Sequence, residues 1–189
     1  MSNINLTLDK IQILDKKQSW NLYMILIVDD PTDGSQKLIR TVPEGDYIDF
    51  SKKTDNVYSF VPQGGNAGDG LDLFGTTSAS GNLDVQVFLK QHGGLHKTVN
   101  VLEKIKTDLN GENLTSAPGI IGKAASASWV AVAGKSLDVI SKVLNDIPDR
   151  SLGMLNMSTD LSKLSSTPSQ FSNKTSKGDA ELTWSWVED

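Results

Sequence analysis

Cysteine is absent and histidine occurs only twice, which excludes disulfides, thiolate metal sites and cysteine nucleophiles and leaves little for zinc or acid-base catalysis. Basic charge is not concentrated anywhere. The 18 Lys and Arg are scattered among 23 acidic residues, the formal net charge is −5, and no cationic footprint for nucleic acid results. Long hydrophobic runs are missing as well: the longest uncharged apolar stretch, Ala124 to Gly134, falls well short of the roughly 20 residues that span a bilayer. The N-terminus, Met1-Ser-Asn-Ile, enters a strand pattern without the charged and then apolar regions of a Sec signal. The expectation is a protein that is soluble and cytoplasmic as synthesised, with non-Sec export and a membrane-surface role left open. At 189 residues, one domain can bury a core without staples.

What is there is mostly short alternating strands. Ile4, Leu6 and Leu8 alternate, and Ile11 and Ile13 continue on the opposite parity, which predicts a bulge at Asp9-Lys10. Leu22 to Val28 is apolar on both faces, as a central strand covered on both sides would be. Weaker strands follow at Gln36–Val42 and Tyr47–Phe50, and a clearer one at Val57–Val61. Gln63 to Gly81, rich in Gly, Ser, Thr and Asn, predicts a surface loop with a short strand at Leu71–Phe74. Leu83, Val85, Val87 and Leu89 alternate against Asp84, Gln86 and Lys90, the clearest one-sided strand; Ala180, Leu182, Trp184 and Trp186 close the chain with another.

Between these strands lies a different texture. Val99, Leu102, Ile105 and Leu109 recur at helical spacing before Asn110-Gly111, a C-cap signal. The alanine-rich run from Gly119 to Ile147, opened by Pro118 and stopped by Pro148, predicts a second helix with a stripe at Leu137, Ile140, Leu144 and Ile147. A break at Gly134 and a strand at Trp129–Ala133 are the alternatives. The whole therefore reads as mainly β, a single antiparallel β-sandwich over residues 1–189 with a helical insertion at about 95–147.

Motifs that could carry chemistry are thin. Ala133-Gly-Lys-Ser136 ends like a phosphate loop, but Trp129 stands where that motif needs its first Gly. His92 and His96 have zinc-helix spacing, but two glycines separate them and no Glu follows His92. Asp29, Asp30 and Asp33 before Gly34 are candidate calcium ligands at a strand end, although Pro31 and Arg40 occupy positions an EF-hand would need. Gly64 to Leu71 is a single imperfect copy of a calcium-binding repeat that cannot stack alone. The sequons at Asn5, Asn113, Asn156 and Asn173 are read as chance tripeptides in an Asn- and Ser-rich chain. The apolar face of 119–147, with Ile121, Trp129 and Val132 as contact candidates and lysines along it, could lie on a membrane; burial in the fold explains it equally.

With the insertion set aside, the order of elements resembles a C2-type β-sandwich. Leu8–Leu14, Asp15 and Asn21-Leu-Tyr23-Met resemble the family's opening strand, first calcium loop and following strand start. Leu83 to Gln91 resembles the strand that ends in Asp-x-Asp, Asp146 to Gly153 the later Asp-Asp-x-x-Gly stretch, and Leu182 to Trp186 the last strand. The resemblance implies a binding scaffold. It also implies a weakened calcium site, since Asp15 is kept while Asn21, Leu89 and Gln91 replace carboxylates. The functional expectation is a non-enzymatic binding or assembly module without cofactor, acting calcium-independently on a protein partner or a membrane surface and not on nucleic acid. The alternatives are a membrane-active, pore-forming or toxin-like protein using 119–147, and a carboxylate-based hydrolase.

Overall fold

The computed structural model describes residues 3–14, 21–50, 56–77, 81–94, 98–117 and 119–188. In chain order its strands are β1 (Ile4–Ile13), β2 (Asn21–Asp29), β3 (Gln36–Val42), β4 (Ile48–Asp49), β5 (Val57–Ser59), β6 (Leu71–Thr76), β7 (Asn82–Leu83) and β8 (Val85–Gln91). Helix α1 (Thr98–Leu109), β9 (Glu112–Leu114), a 3-10 turn at Gly122–Ser126, β10 (Trp129–Ala133) and helix α2 (Leu137–Asn145) follow. The chain then forms β11 (Arg150–Asn156), β12 (Thr159–Asp160), a 3-10 turn at Leu161–Lys163, β13 (Ser169–Lys174) and β14 (Ala180–Glu188).

These strands make two large antiparallel sheets. One runs β13-β14-β1-β5, with β6 also paired to β1; the other runs β11-β8-β2-β3-β10-β9, with β4 on β2. Their facing sides bury one core, in which Leu83, Val85, Val87 and Leu89 meet Leu182, Trp184 and Trp186 as the alternation predicts. The expected bulge is present: the β1–β14 register shifts between Leu8 and Lys10. It keeps Ile4, Leu6 and Leu8 on the same core as Ile11 and Ile13 despite their opposite parity.

A third layer covers the outer face of the larger sheet. Tyr23, Ile25 and Ile27 of β2, Ile39, Phe88, Val130 and Val132 form a second core with Val101, Leu102, Ile105 and Leu109 of α1 and with Ile140, Leu144 and Ile147 on and just after α2. This explains why β2 reads apolar on both faces: Leu22, Met24, Leu26 and Val28 point to the other sheet, and the odd-numbered residues to the helices. Helix α1 ends as its sequence signals, with Asn110 at φ +54° and the Gly111 N–H donating to the Lys106 carbonyl at 2.8 Å.

The insertion is only partly helical. Residues 119–147 do not form one helix: they fold as a 3-10 turn, a strand and a helix of 9 residues. Strand β10 pairs with β3 on one side and β9 on the other, so the insertion extends the sheet as well as covering it. Its residues alternate between two buried environments, Trp129 and Ala131 inward and Val130 and Val132 under the helices. A doubly covered strand has a continuous apolar run, which periodicity cannot tell from a buried helix. Gly134 is no helix kink; at φ +64° it turns the chain from β10 into α2, where Ser136 caps the helix by accepting from the Val139 N–H. Pro118, the expected opener, lies outside the described residues.

Candidate functional site

The bulge in β1 organises the most distinctive surface of the molecule. Asp9, almost fully buried, accepts from Ser185 Oγ at 2.5 Å, Gln170 Nε2 at 2.8 Å, and Thr7 Oγ1 and the Gly68 N–H at 3.3 Å each. Its carbonyl takes the Phe60 N–H at 2.8 Å. The connection from β5 to β6 is thereby pinned to β1 at several points. Gly70 completes the seam: a Cβ there would lie 2.2 Å from the Leu8 carbonyl oxygen, so no larger residue fits without moving the backbone.

The pinned loop forms one wall of a cleft of about 400 Å³ opening between the sheets, lined by Arg40, Phe60, Pro62, Asp69, Gly70, Leu71, Asp72 and Lys123. Arg40 comes from β3 of the larger sheet, Leu71 and Asp72 from β6 of the smaller, and Lys123 from the 3-10 turn of the insertion. Arg40 shares strand parity with Leu38 and Val42, which places it between the sheets and not on the face that Ile39 turns to the helices. It is only 7% exposed, its guanidinium carbon lies 5.4 Å from the Trp129 ring centre, and its Nε and Nη1 are buried with no acceptor. Burial pulls its pKa down, opposed by the charges of Glu44 and Asp72, neither of which is close enough to pair with it. A buried guanidinium without an acceptor is costly, and Arg40 is also part of the cleft lining.

The other charges sit nearer solvent. Lys123 Nζ stands 3.4 Å from Asp72 Oδ2, with the lysine side chain 88% exposed. Asp69 is exposed and accepts the Asn66 N–H at 2.7 Å. The cleft is therefore cationic at depth and carries both signs at its mouth. A smaller polar hollow of about 240 Å³ adjoins it and shares Asp69 and Asp72.

A second cluster lies under the helices. Asp149 accepts from Tyr23 Oη at 2.7 Å and from the Gly93 N–H at 2.9 Å, with His92 Nδ1 at 3.8 Å and Tyr47 stacked on the His92 ring. The Tyr23 hydroxyl is pushed far above its ordinary range, first by burial and then by Asp149. Lys90, expected on the solvent face of a one-sided strand, is instead buried beneath the helix layer and donates to the Leu144 carbonyl at 2.7 Å, at the C-terminal end of α2. Burial lowers its pKa, against the raising effect of Asp149. This network ties β2 and β8 to the end of α2 and to the connection that follows it; the neighbouring hollow, about 170 Å³ beside Ile147 and Pro148, is lined by none of its charged members.

The sites expected from sequence are placed differently. The three acids proposed for calcium do not converge. Asp30 accepts from Thr32 and Asp33, Asp33 from Ser35 and Gln36, and Asp29 pairs with Lys37. Among the described residues no three His, Cys, Asp or Glu side chains are grouped to hold a metal ion. His96 and Asp15 lie outside the described residues. Of the membrane-contact candidates, Trp129 and Val132 are buried, Trp129 Nε1 donating to the Ala124 carbonyl at 2.8 Å, because β10 runs between two apolar layers; Ile121 is half-buried. Among the described residues no helix is long and apolar enough to cross a membrane. Arg40 escaped the sequence reading, although its parity with Leu38 and Val42 was a usable signal.

No protein-family model and no curated protein matches the chain. Among solved structures it is similar to a Drosophila C2-DSL-EGF1 structure, at 6% sequence identity and a TM-score of 0.37, over 100% of this chain and 67% of that one.

Proposed function

We propose that the protein is a non-enzymatic binding module on a C2-type sandwich scaffold, working without calcium, whose ligand places an anionic group against Arg40. One observation carries the reading: a guanidinium with two buried nitrogens lacking an acceptor lines a cleft of about 400 Å³. Natural proteins rarely leave such a group unsatisfied, and Arg matches carboxylate geometry in particular. The strand motifs that resemble C2 domains and the antiparallel face-to-face sheets support the scaffold part. The local hydrogen bonds of Asp29, Asp30 and Asp33 support calcium independence, since each carboxylate already has a partner.

The test is titration with 4-methylpentanoate, a carboxylate with an apolar tail, followed by amide and indole NMR shifts. Saturable shifts at Leu71, Asp72 and the Trp129 indole, lost in Arg40→Met, are expected. Unsaturable or scattered shifts would overturn the reading. A second reading, carboxylate-based hydrolysis, is favoured by Asp69 and Asp72 lining one cleft, because glycoside hydrolysis needs two converging carboxyl groups. Turnover of an aryl glycoside that disappears in Asp72→Asn would put that reading first.

A further inference from the structure

The charges around the cleft are separated by depth. Arg40 lies at the buried end, while Asp69 and Asp72 stand at more open positions and Lys123 is almost free in solvent. Two cations face two carboxylates, so the lining is formally neutral but polarised. A simple anion such as phosphate would satisfy Arg40 and then meet two carboxylates; a simple cation would meet Arg40. A ligand carrying both signs a few bonds apart meets neither penalty. Phe60, Pro62 and Leu71 supply an apolar wall beside the charges. The volume lies toward the lower end of the usual small-molecule range, which suits a ligand of a few heavy atoms and not a cofactor.

From this we infer that the cleft receives a small zwitterion of the α-amino-acid class, with its carboxylate on Arg40, its ammonium at Asp72 and its apolar side chain against Phe60 and Leu71. The inference rests on the reading of the cleft as an anion-accepting site and adds the second charge. Lys123 now neutralises Asp72 through one contact at 3.4 Å from an 88% exposed side chain. An exposed pair of that kind has little to lose when the lysine swings aside, so the ligand's ammonium can take its place.

Three probes that differ in one charge each decide the matter on the wild-type protein: L-leucine, 4-methylpentanoate, which lacks the ammonium, and L-leucinamide, which lacks the carboxylate. L-leucine is expected to bind at least about tenfold more tightly than either, the scale of one charge-assisted hydrogen bond lost. Asp72→Asn should bring L-leucine down to the level of 4-methylpentanoate, and Arg40→Met should abolish binding of both. If 4-methylpentanoate binds through Arg40 as tightly as L-leucine, the zwitterion is refuted while the anion site stands. If none of the three saturates, both fall. If the peptide Ala-Ala-Leu outcompetes L-leucine, the site takes a chain terminus and the small-zwitterion inference is overturned. Should Arg40→Met fail to fold, judged by amide dispersion, the comparison of the three probes on the wild-type protein still decides.

Discussion

The Arg40 guanidinium sits over the Trp129 indole, 5.4 Å from the ring centre, so a strand of the inserted segment supplies the surface against which the cleft's buried cation rests. The two partners should respond differently to mutation. Trp129→Ala removes a fully buried indole and is expected to cost about 3–5 kcal/mol. Arg40→Met keeps the apolar stem and removes a buried charge that lacks acceptors, so in ligand-free protein its unfolding free energy should equal or exceed that of the wild type. Urea unfolding of both variants checks this, and a marked loss in Arg40→Met would mean that the guanidinium is structurally paired.

Gly134 separates the turn from the helix reading by the sign of one measurement. In a continuous helix, Gly134→Ala would stabilise by about 1 kcal/mol. At φ +64°, with nothing within 4 Å of an added Cβ, the same change carries backbone strain alone and should destabilise by about 1–2 kcal/mol. Thermal melting of the single variant decides between them.

Tyr23 should make the fold sensitive to alkali. Tyrosine in the unfolded chain ionises near pH 10, while burial and then Asp149 hold the folded hydroxyl well above that. Its stabilising contribution is therefore complete below pH 10 and declines as pH rises beyond it. Absorbance near 295 nm should show Tyr23 ionising only together with unfolding. Tyr23→Phe should remove that coupling and, by taking a donor from buried Asp149, cost about 1–3 kcal/mol at neutral pH.

Asp160 carries a dependence of the opposite sign. Its carboxylate accepts from the Ser162 hydroxyl at 2.7 Å, has Lys163 at 2.9 Å and takes the Ser162 N–H at 3.1 Å, which together lower its pKa to about 2. A lowered value contributes stability above the unfolded value of 3.8 and loses it as pH falls toward about 2. The melting difference between wild type and Asp160→Ala should be present at neutral pH and close across that acid window. A difference that persists unchanged below it would show that the ionised carboxylate is not what caps the turn.

Much of the smaller sheet and its core was legible because only one face of its long strands is apolar, the other carrying polar residues such as Thr7, Asp9, Thr183 and Ser185. In β14, Leu182, Trp184 and Trp186 alternate with residues that do not enter the core, and in β1 the parity change at Asp9-Lys10 announced a real bulge. The helix layer defeated the same reasoning. Lys90 has the parity of a solvent-facing residue, and α2, more than 45 residues later in the chain, is what buries it. Trp129 to Val132 lost its alternation for the same reason: both sides of β10 are covered, one by a sheet and one by α1.

Local alternation, caps and turn residues are short-range properties, and they were enough to place β1, β2, β8, β14 and the end of α1 and to make the chain an antiparallel sandwich. The cleft is a long-range property. Arg40, Asp72 and Lys123 come from three separated segments, and they meet because the β1 bulge pins one loop while the insertion packs against the edge of β3. Whether a charge ends buried without an acceptor depends on which elements arrive from elsewhere in the chain, and packing, not backbone period, settles that.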